Sequence, residues 1–84
     1  MSAKTTKINF PKSGMGIEEG MVARWLKAVG DKIHVGEALV EIETAKAVQE
    51  VQAPAAGTLV QIIVNEGETV PVNTTLGVIE ETDG

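Results

Sequence analysis

The chain has 84 residues, 43% of them hydrophobic, with no cysteine and a net charge of −5. That length holds one domain near the lower limit for a self-sufficient core, and without cysteine neither a disulfide nor a thiolate metal site can support it. The acidic balance excludes the clustered Lys and Arg that phosphate binding needs, and no apolar run approaches the roughly 18–20 residues of a membrane span.

Residues 1–7 are polar and lack the apolar stretch of a signal peptide. They are expected to be a flexible N-terminus, with a bacterial cytoplasmic location as the default; no transit peptide points to mitochondria. Ser13-Gly14-Met15-Gly16 is Gly-rich but leads into no helix and lacks the Lys-Ser/Thr of a phosphate cradle, so it reads as a loop. Residues 18–29 are the best helical candidate, yet Gly20 interrupts them and Gly30 closes them, which favours a strand over 21–27. Ile33 and Val35 alternate around His34. Leu39, Val40 and Ile42 fall among Glu37, Glu41 and Glu43. A strand over 48–52 ends at Ala53-Pro54, and the β-branched run 59–64 ends at Asn65-Glu66-Gly67. A last strand spans 76–80, and 81–84 read as a flexible tail or the start of a linker. Only Phe10 and Trp25 are aromatic, so the core must be aliphatic, which suits pleated surfaces. Many short strands with regular turns predict an all-β sandwich or barrel.

The strongest architectural signal is an internal repeat. An offset of 37, which carries Gly20 to Gly57, also pairs Gly30 with Gly67, Asp31 with Glu68, Ile33 with Val70, Val35 with Val72 and Gly36 with Asn73. It continues through Leu39 and Leu76, Ile42 and Ile79, and Glu43 and Glu80. Gly and Asn best tolerate left-handed backbone, so Gly36 and Asn73 should make the same turn; Gly30, Gly57 and Gly67 are the other expected turn glycines. Arg24 and Gln61 interrupt their strands at the same place, as a shared bulge or a shared exposed position would. Each copy alone is too small to bury its apolar face, so two copies should close two small sheets over one core. The expected core is Val22, Leu26, Ile33, Val35, Leu39, Ile42, Val51, Leu59, Ile63, Val70, Leu76 and Ile79. Residues 44–56 have no counterpart inside the first copy, which makes this linker the place to look for function.

The linker contains Glu43-Thr44-Ala45-Lys46-Ala47-Val48-Gln49-Glu50. Strand-like sequence on both sides makes its middle a tight hairpin. Lys46 sits at the centre between two alanines, where small neighbours leave the amine open and a turn tip projects it toward another enzyme. That is what an acylation site requires. Glu18, Glu19, Glu41, Glu43 and Glu50 read as exposed strand and loop positions rather than an acid–base pair. His34, without Cys or a second His, anchors no zinc site, and no catalytic nucleophile–base pair is visible. Trp25 reads as packing.

On these residues the chain resembles the lipoyl domains of 2-oxo acid and acetoin dehydrogenase complexes. Their pattern of Glu-Thr-Asp-Lys-Ala after an apolar strand, with Ala-Pro and Gly-Thr beyond it, is similar to Leu39–Ala47 and to Val51–Thr58 here. Phe10–Met15 is similar to the first strand and loop of such domains, and the likeness covers residues 8–80. One departure is Ala45, where the family usually has Asp. Biotin carriers share the fold but flank the lysine with Met, whereas both flanks here are Ala. The resemblance implies a flattened barrel-sandwich hybrid of two small antiparallel sheets with quasi-two-fold symmetry. It also implies covalent lipoic acid on Lys46, in a carrier that is not itself an enzyme and is monomeric in isolation. A lipoate ligase or lipoyl transferase, and then partner enzymes, would read Glu43, Thr44, Ala45 and Ala47 together with Ser13, Gly14, Met15 and Gly16. The implied partners are a thiamine-dependent decarboxylase, an acyltransferase core and a flavin dihydrolipoamide dehydrogenase, with no nucleic acid and no membrane. The remaining alternatives are a biotin carboxyl carrier and an unmodified barrel used for interaction.

Overall fold

The computed structural model describes residues 4–11 and 18–81. Every regular element among them is a strand: β1 (Lys4–Asn9), β2 (Glu19–Trp25), β3 (Lys32–Ile33), β4 (Ala38–Glu43), β5 (Val48–Gln52), β6 (Gly57–Ile62), β7 (Thr69–Pro71) and β8 (Thr75–Glu81). They form two four-stranded sheets, ordered β1-β8-β6-β3 and β5-β4-β2-β7, and every pairing is antiparallel. The chain is therefore all-β, as its short alternating runs require. Strand β1 begins at Lys4, and residues 4–7 pair with 78–81 of β8. The N-terminal boundary expected at residue 8 thus moves to residue 4, and Glu81, expected in the tail, belongs to β8.

The repeat is written into the hydrogen bonds. Gly30 N–H donates to the Leu59 carbonyl and Gly67 N–H to that of Val22, each at 2.7 Å. The offset of 37 converts one bond into the other. Likewise Leu26 N–H bonds the Leu39 carbonyl and Ile63 N–H that of Leu76, both at 2.8 Å. Gly30, Gly36, Gly67 and Asn73 have φ of 99°, 85°, 90° and 71°, the left-handed region where a β-carbon is disfavoured and Gly or Asn is favoured. The register slips at Ala23 in β2 and at Val60 in β6, so Arg24 and Gln61 each follow a β-bulge. The linker also has a relative in the fold. An offset of 43 carries Ile8 to Val51, Phe10 to Ala53 and Pro11 to Pro54. Phe10 N–H bonds the Thr74 carbonyl, as Ala53 N–H bonds that of Glu37. Strands β1 and β5 are equivalent edges, and the different offset reflects extra residues between Pro11 and β2.

The core consists of Ile8, Phe10, Val22, Ile33, Leu39, Val40, Ile42, Val51, Ala53, Leu59, Val64, Leu76 and Ile79, with Trp25, Ile62, Val70 and Val72 packed against it. Fully burying a large aliphatic side chain stabilises by about 1.5–3 kcal/mol, so this layer supplies most of the drive to fold. Three expected core residues lie outside it: Leu26 is half-buried, Val35 is 67% exposed and Ile63 46% exposed. Strand β3 stops at Ile33, and Val35 sits in the turn closed by Glu37 N–H on the His34 carbonyl. Ile63 follows the end of β6. Gly57, expected in a turn, instead begins β6 and is buried. A β-carbon there would stand 2.0 Å from the Glu80 carbonyl oxygen, so its lack of a side chain serves close backbone approach.

Candidate functional site

Strands β4 and β5 form a hairpin whose last pair is Glu43 opposite Val48. Four residues, Thr44 to Ala47, remain to reverse the chain. Two-residue hairpin loops usually adopt primed turns with positive φ at the central residues, which Asn and Gly tolerate. Ala45 and Lys46 would pay about 1–2 kcal/mol each for that backbone. Among the described non-glycine residues only Asn73 has positive φ, so the turn is built another way. Thr44 N–H donates to the Ala47 carbonyl at 2.9 Å, and the Thr44 hydroxyl donates to the same oxygen at 2.8 Å. That hydroxyl oxygen in turn accepts the Ala47 N–H at 3.2 Å and the Lys46 N–H at 3.4 Å.

The turn carries Lys46 at the solvent-exposed end of the hairpin. Ala45, Ala47, Glu43 and Glu50 are exposed around it, and Thr44 is half-buried. Val48, at the base of the turn, is 56% exposed. This apolar surface beside the amine was missed from the sequence because alternation alone read Val48 as one more strand residue. Met21 pairs with Glu43 across β2 and β4, so Glu18 and Glu19 extend past that pair at the Lys46 end of the sheet. Ser13, Gly14, Met15 and Gly16 themselves lie outside the described residues.

The side chain at position 46 offers a primary amine, and methyl groups on both neighbours keep the approach open. An amide formed there leaves the attached group in solvent. The arrangement therefore fits a covalently tethered carboxylic acid, and it needs no enclosing pocket. Two surface grooves are lined by described residues. One of about 440 Å³ lies between β1 and β5 and has Lys7 and Glu50 as its ionisable residues. Another of about 500 Å³, beside Trp25, has Lys27 and Glu66. Neither is lined by a Ser, Thr, Cys or His that a carboxylate could activate.

The family model described as "Biotin-requiring enzyme", the biotin and lipoyl attachment family, matches residues 6–79. The dihydrolipoyllysine-residue succinyltransferase component of the 2-oxoglutarate dehydrogenase complex of Bartonella vinsonii subsp. berkhoffii is 45% identical over 76 residues. That match takes in 90% of this chain but 18% of the relative's length. In solved structures, the lipoyl domain of the 2-oxoglutarate dehydrogenase complex from Azotobacter vinelandii superposes with a TM-score of 0.66 at 38% identity, over 92% of this chain and 98% of that one. The urea carboxylase of Kluyveromyces lactis gives a TM-score of 0.78 at 22% identity, over 94% of this chain and 6% of that one, a likeness of fold alone. The chain belongs to the biotinyl/lipoyl carrier family and, within it, to the lipoyl domains of 2-oxo acid dehydrogenase acyltransferases.

Proposed function

We propose that the chain is a swinging-arm carrier in which Lys46 holds a lipoyl group through an amide bond. The observation that carries this reading is the exposed Lys46 at the tip of the β4–β5 hairpin, with an alanine on each side. The amine is the only atom the chain contributes to the covalent link, and acylation there removes one positive charge from an already acidic surface. A lipoate ligase or lipoyl transferase installs the group. When bound, lipoate supplies a dithiolane that accepts an acyl group with two electrons, and that chemistry belongs to the cofactor. The protein positions the arm and raises its effective concentration at successive active sites. Those sites belong to a thiamine-dependent decarboxylase, an acyltransferase core and a flavin dihydrolipoamide dehydrogenase of a 2-oxo acid or acetoin dehydrogenase complex. The domain itself performs no catalysis.

A modifying enzyme tests Glu43, Thr44, Ala45 and Ala47 on the hairpin and, by sequence, Ser13, Gly14, Met15 and Gly16. Intact mass measures the reading after expression with both a lipoate ligase and a biotin ligase. A gain of about 188 Da is the expected result. A gain of about 226 Da would make the chain a biotin carrier, and no gain would make it an unmodified interaction module.

A further inference from the structure

We infer that the Thr44 hydroxyl is a positioning group for the modification of Lys46: it holds the tip closed so that the amine is presented in one geometry. This rests on the reading of Lys46 as the acceptor lysine. The hydroxyl makes three contacts within four residues. It donates to the Ala47 carbonyl at 2.8 Å and accepts from Ala47 N–H at 3.2 Å and Lys46 N–H at 3.4 Å. The last contact is to the backbone of the reactive residue itself. Ala45, Lys46 and Ala47 are exposed, and backbone with few buried contacts opens readily. Ala45 and Lys46 do not supply the positive φ of a primed turn. The backbone bond from Thr44 N–H to the Ala47 carbonyl, at 2.9 Å, closes the tip on one side. The hydroxyl satisfies the amides on the other side, as Ser and Thr do in local turns.

The other end of the molecule shows what the hydroxyl replaces. Thr44 and Ala47 occupy, under the offsets of 37 and 43, the places of Glu81 and Lys4, which pair as the last rung of β8 and β1. Lys4 and Glu81 lie far apart in the sequence, so no tight turn joins this pair. At the Lys46 end two residues must bridge the same rung, and the hydroxyl takes up the amides that the bridge leaves over.

A modifying enzyme that binds the closed tip meets a competent fraction set by this equilibrium, and its apparent affinity falls as that fraction falls. Loss of the hydroxyl should therefore raise KM with little change in kcat. The test compares wild type, Thr44→Val and Thr44→Ser in two measurements on the whole chain. The first is amide hydrogen exchange of Lys46 and Ala47 in the unmodified protein. The second is steady-state lipoylation by a lipoate ligase. The expected result for Thr44→Val is about tenfold faster exchange at Ala47 and about tenfold higher KM, with unchanged exchange in β4 and β8 showing that the fold is intact. Thr44→Ser should behave as wild type. Unchanged exchange in Thr44→Val overturns the inference. If KM rises regardless, the ligase reads the hydroxyl directly. If wild type is not lipoylated at all, the acceptor reading fails, while the exchange comparison still decides whether the hydroxyl closes the tip.

Discussion

Glycines in this chain do two different things, and a substitution separates them. At Gly36 a β-carbon meets nothing within 4 Å, but φ is +85°, so the cost of Gly36→Val is backbone strain of about 1–2 kcal/mol. Asn73→Val, at φ 71°, should cost a similar amount. At Gly57 a β-carbon would stand 2.0 Å from the Glu80 carbonyl oxygen, and Gly57→Ala must push paired strands apart, at about 3 kcal/mol. Urea midpoints at constant m-value order these variants; equal stability of Gly57→Ala and wild type would contradict the close approach. The sequence aligned Gly57 with Gly20 and Gly36 with Asn73 correctly, but a repeat does not say whether a glycine serves its φ or its missing side chain. The same holds for apolar residues. Val35 is exposed while its counterpart Val72 packs on the core, and Ile63 is exposed while Leu26 is half-buried. An alignment of copies pairs such positions without choosing which one is covered.

Bulges and loops account for what strand alternation misses. Period two allows Leu39 or Val40 to face inward, not both. The register slips between Ala38 and Val40, and both Leu39 and Val40 are fully buried. In the second copy the place of Val40 is taken by Gly77, where a β-carbon would stand 3.1 Å from the Trp25 ring and 2.7 Å from the Gln61 carbonyl oxygen. The missing side chain makes room for Trp25, whose indole N–H donates to the Val64 carbonyl at 2.8 Å.

The loops also differ between copies. Val64 is buried where the first copy has Lys27, and the Lys27 amine reaches Glu37 at 2.8 Å, joining the loop after β2 to the turn before β4. The hydrogen bond from Lys27, then the one from His34 N–H, holds the Glu37 carboxyl below its usual range, and the bond to Glu37 raises the Lys27 amine. A lowered carboxyl stabilises the fold at neutral pH and loses that contribution as pH falls through its folded value. A raised amine contributes below its usual value and loses the contribution as pH rises through its folded one. The melting temperatures of wild type and Lys27→Met should therefore differ most between about pH 5 and 10 and converge outside that window. A difference independent of pH would show that the variant acts through packing alone.

The whole molecule is two copies of one unit, each lending its edge strand to the core. Strand β1 closes one sheet against β8, as β5 closes the other against β4. Removing residues 1–7 would strip the pairs from Lys4–Glu81 to Lys7–Val78 and is expected to lower the melting temperature, by roughly 4–8 °C for each kcal/mol lost; an unchanged melting temperature would place the boundary at residue 8 after all. The fold and the Lys46 hairpin were legible in the sequence because turn residues repeat with the strands. The equivalence of β1 and β5 was not, because extra residues between Pro11 and β2 break the offset. At the rung where one half pairs Lys4 with Glu81, the other has a continuous turn bearing Lys46.

Peptide mapping after lipoylation decides whether that turn is where the group goes. Of Lys4, Lys7, Lys12, Lys27, Lys32 and Lys46, the lipoyl group is expected on Lys46 alone, and on no lysine in Lys46→Arg. A lipoyl group on another lysine in wild type, or one retained in Lys46→Arg, would contradict the assignment.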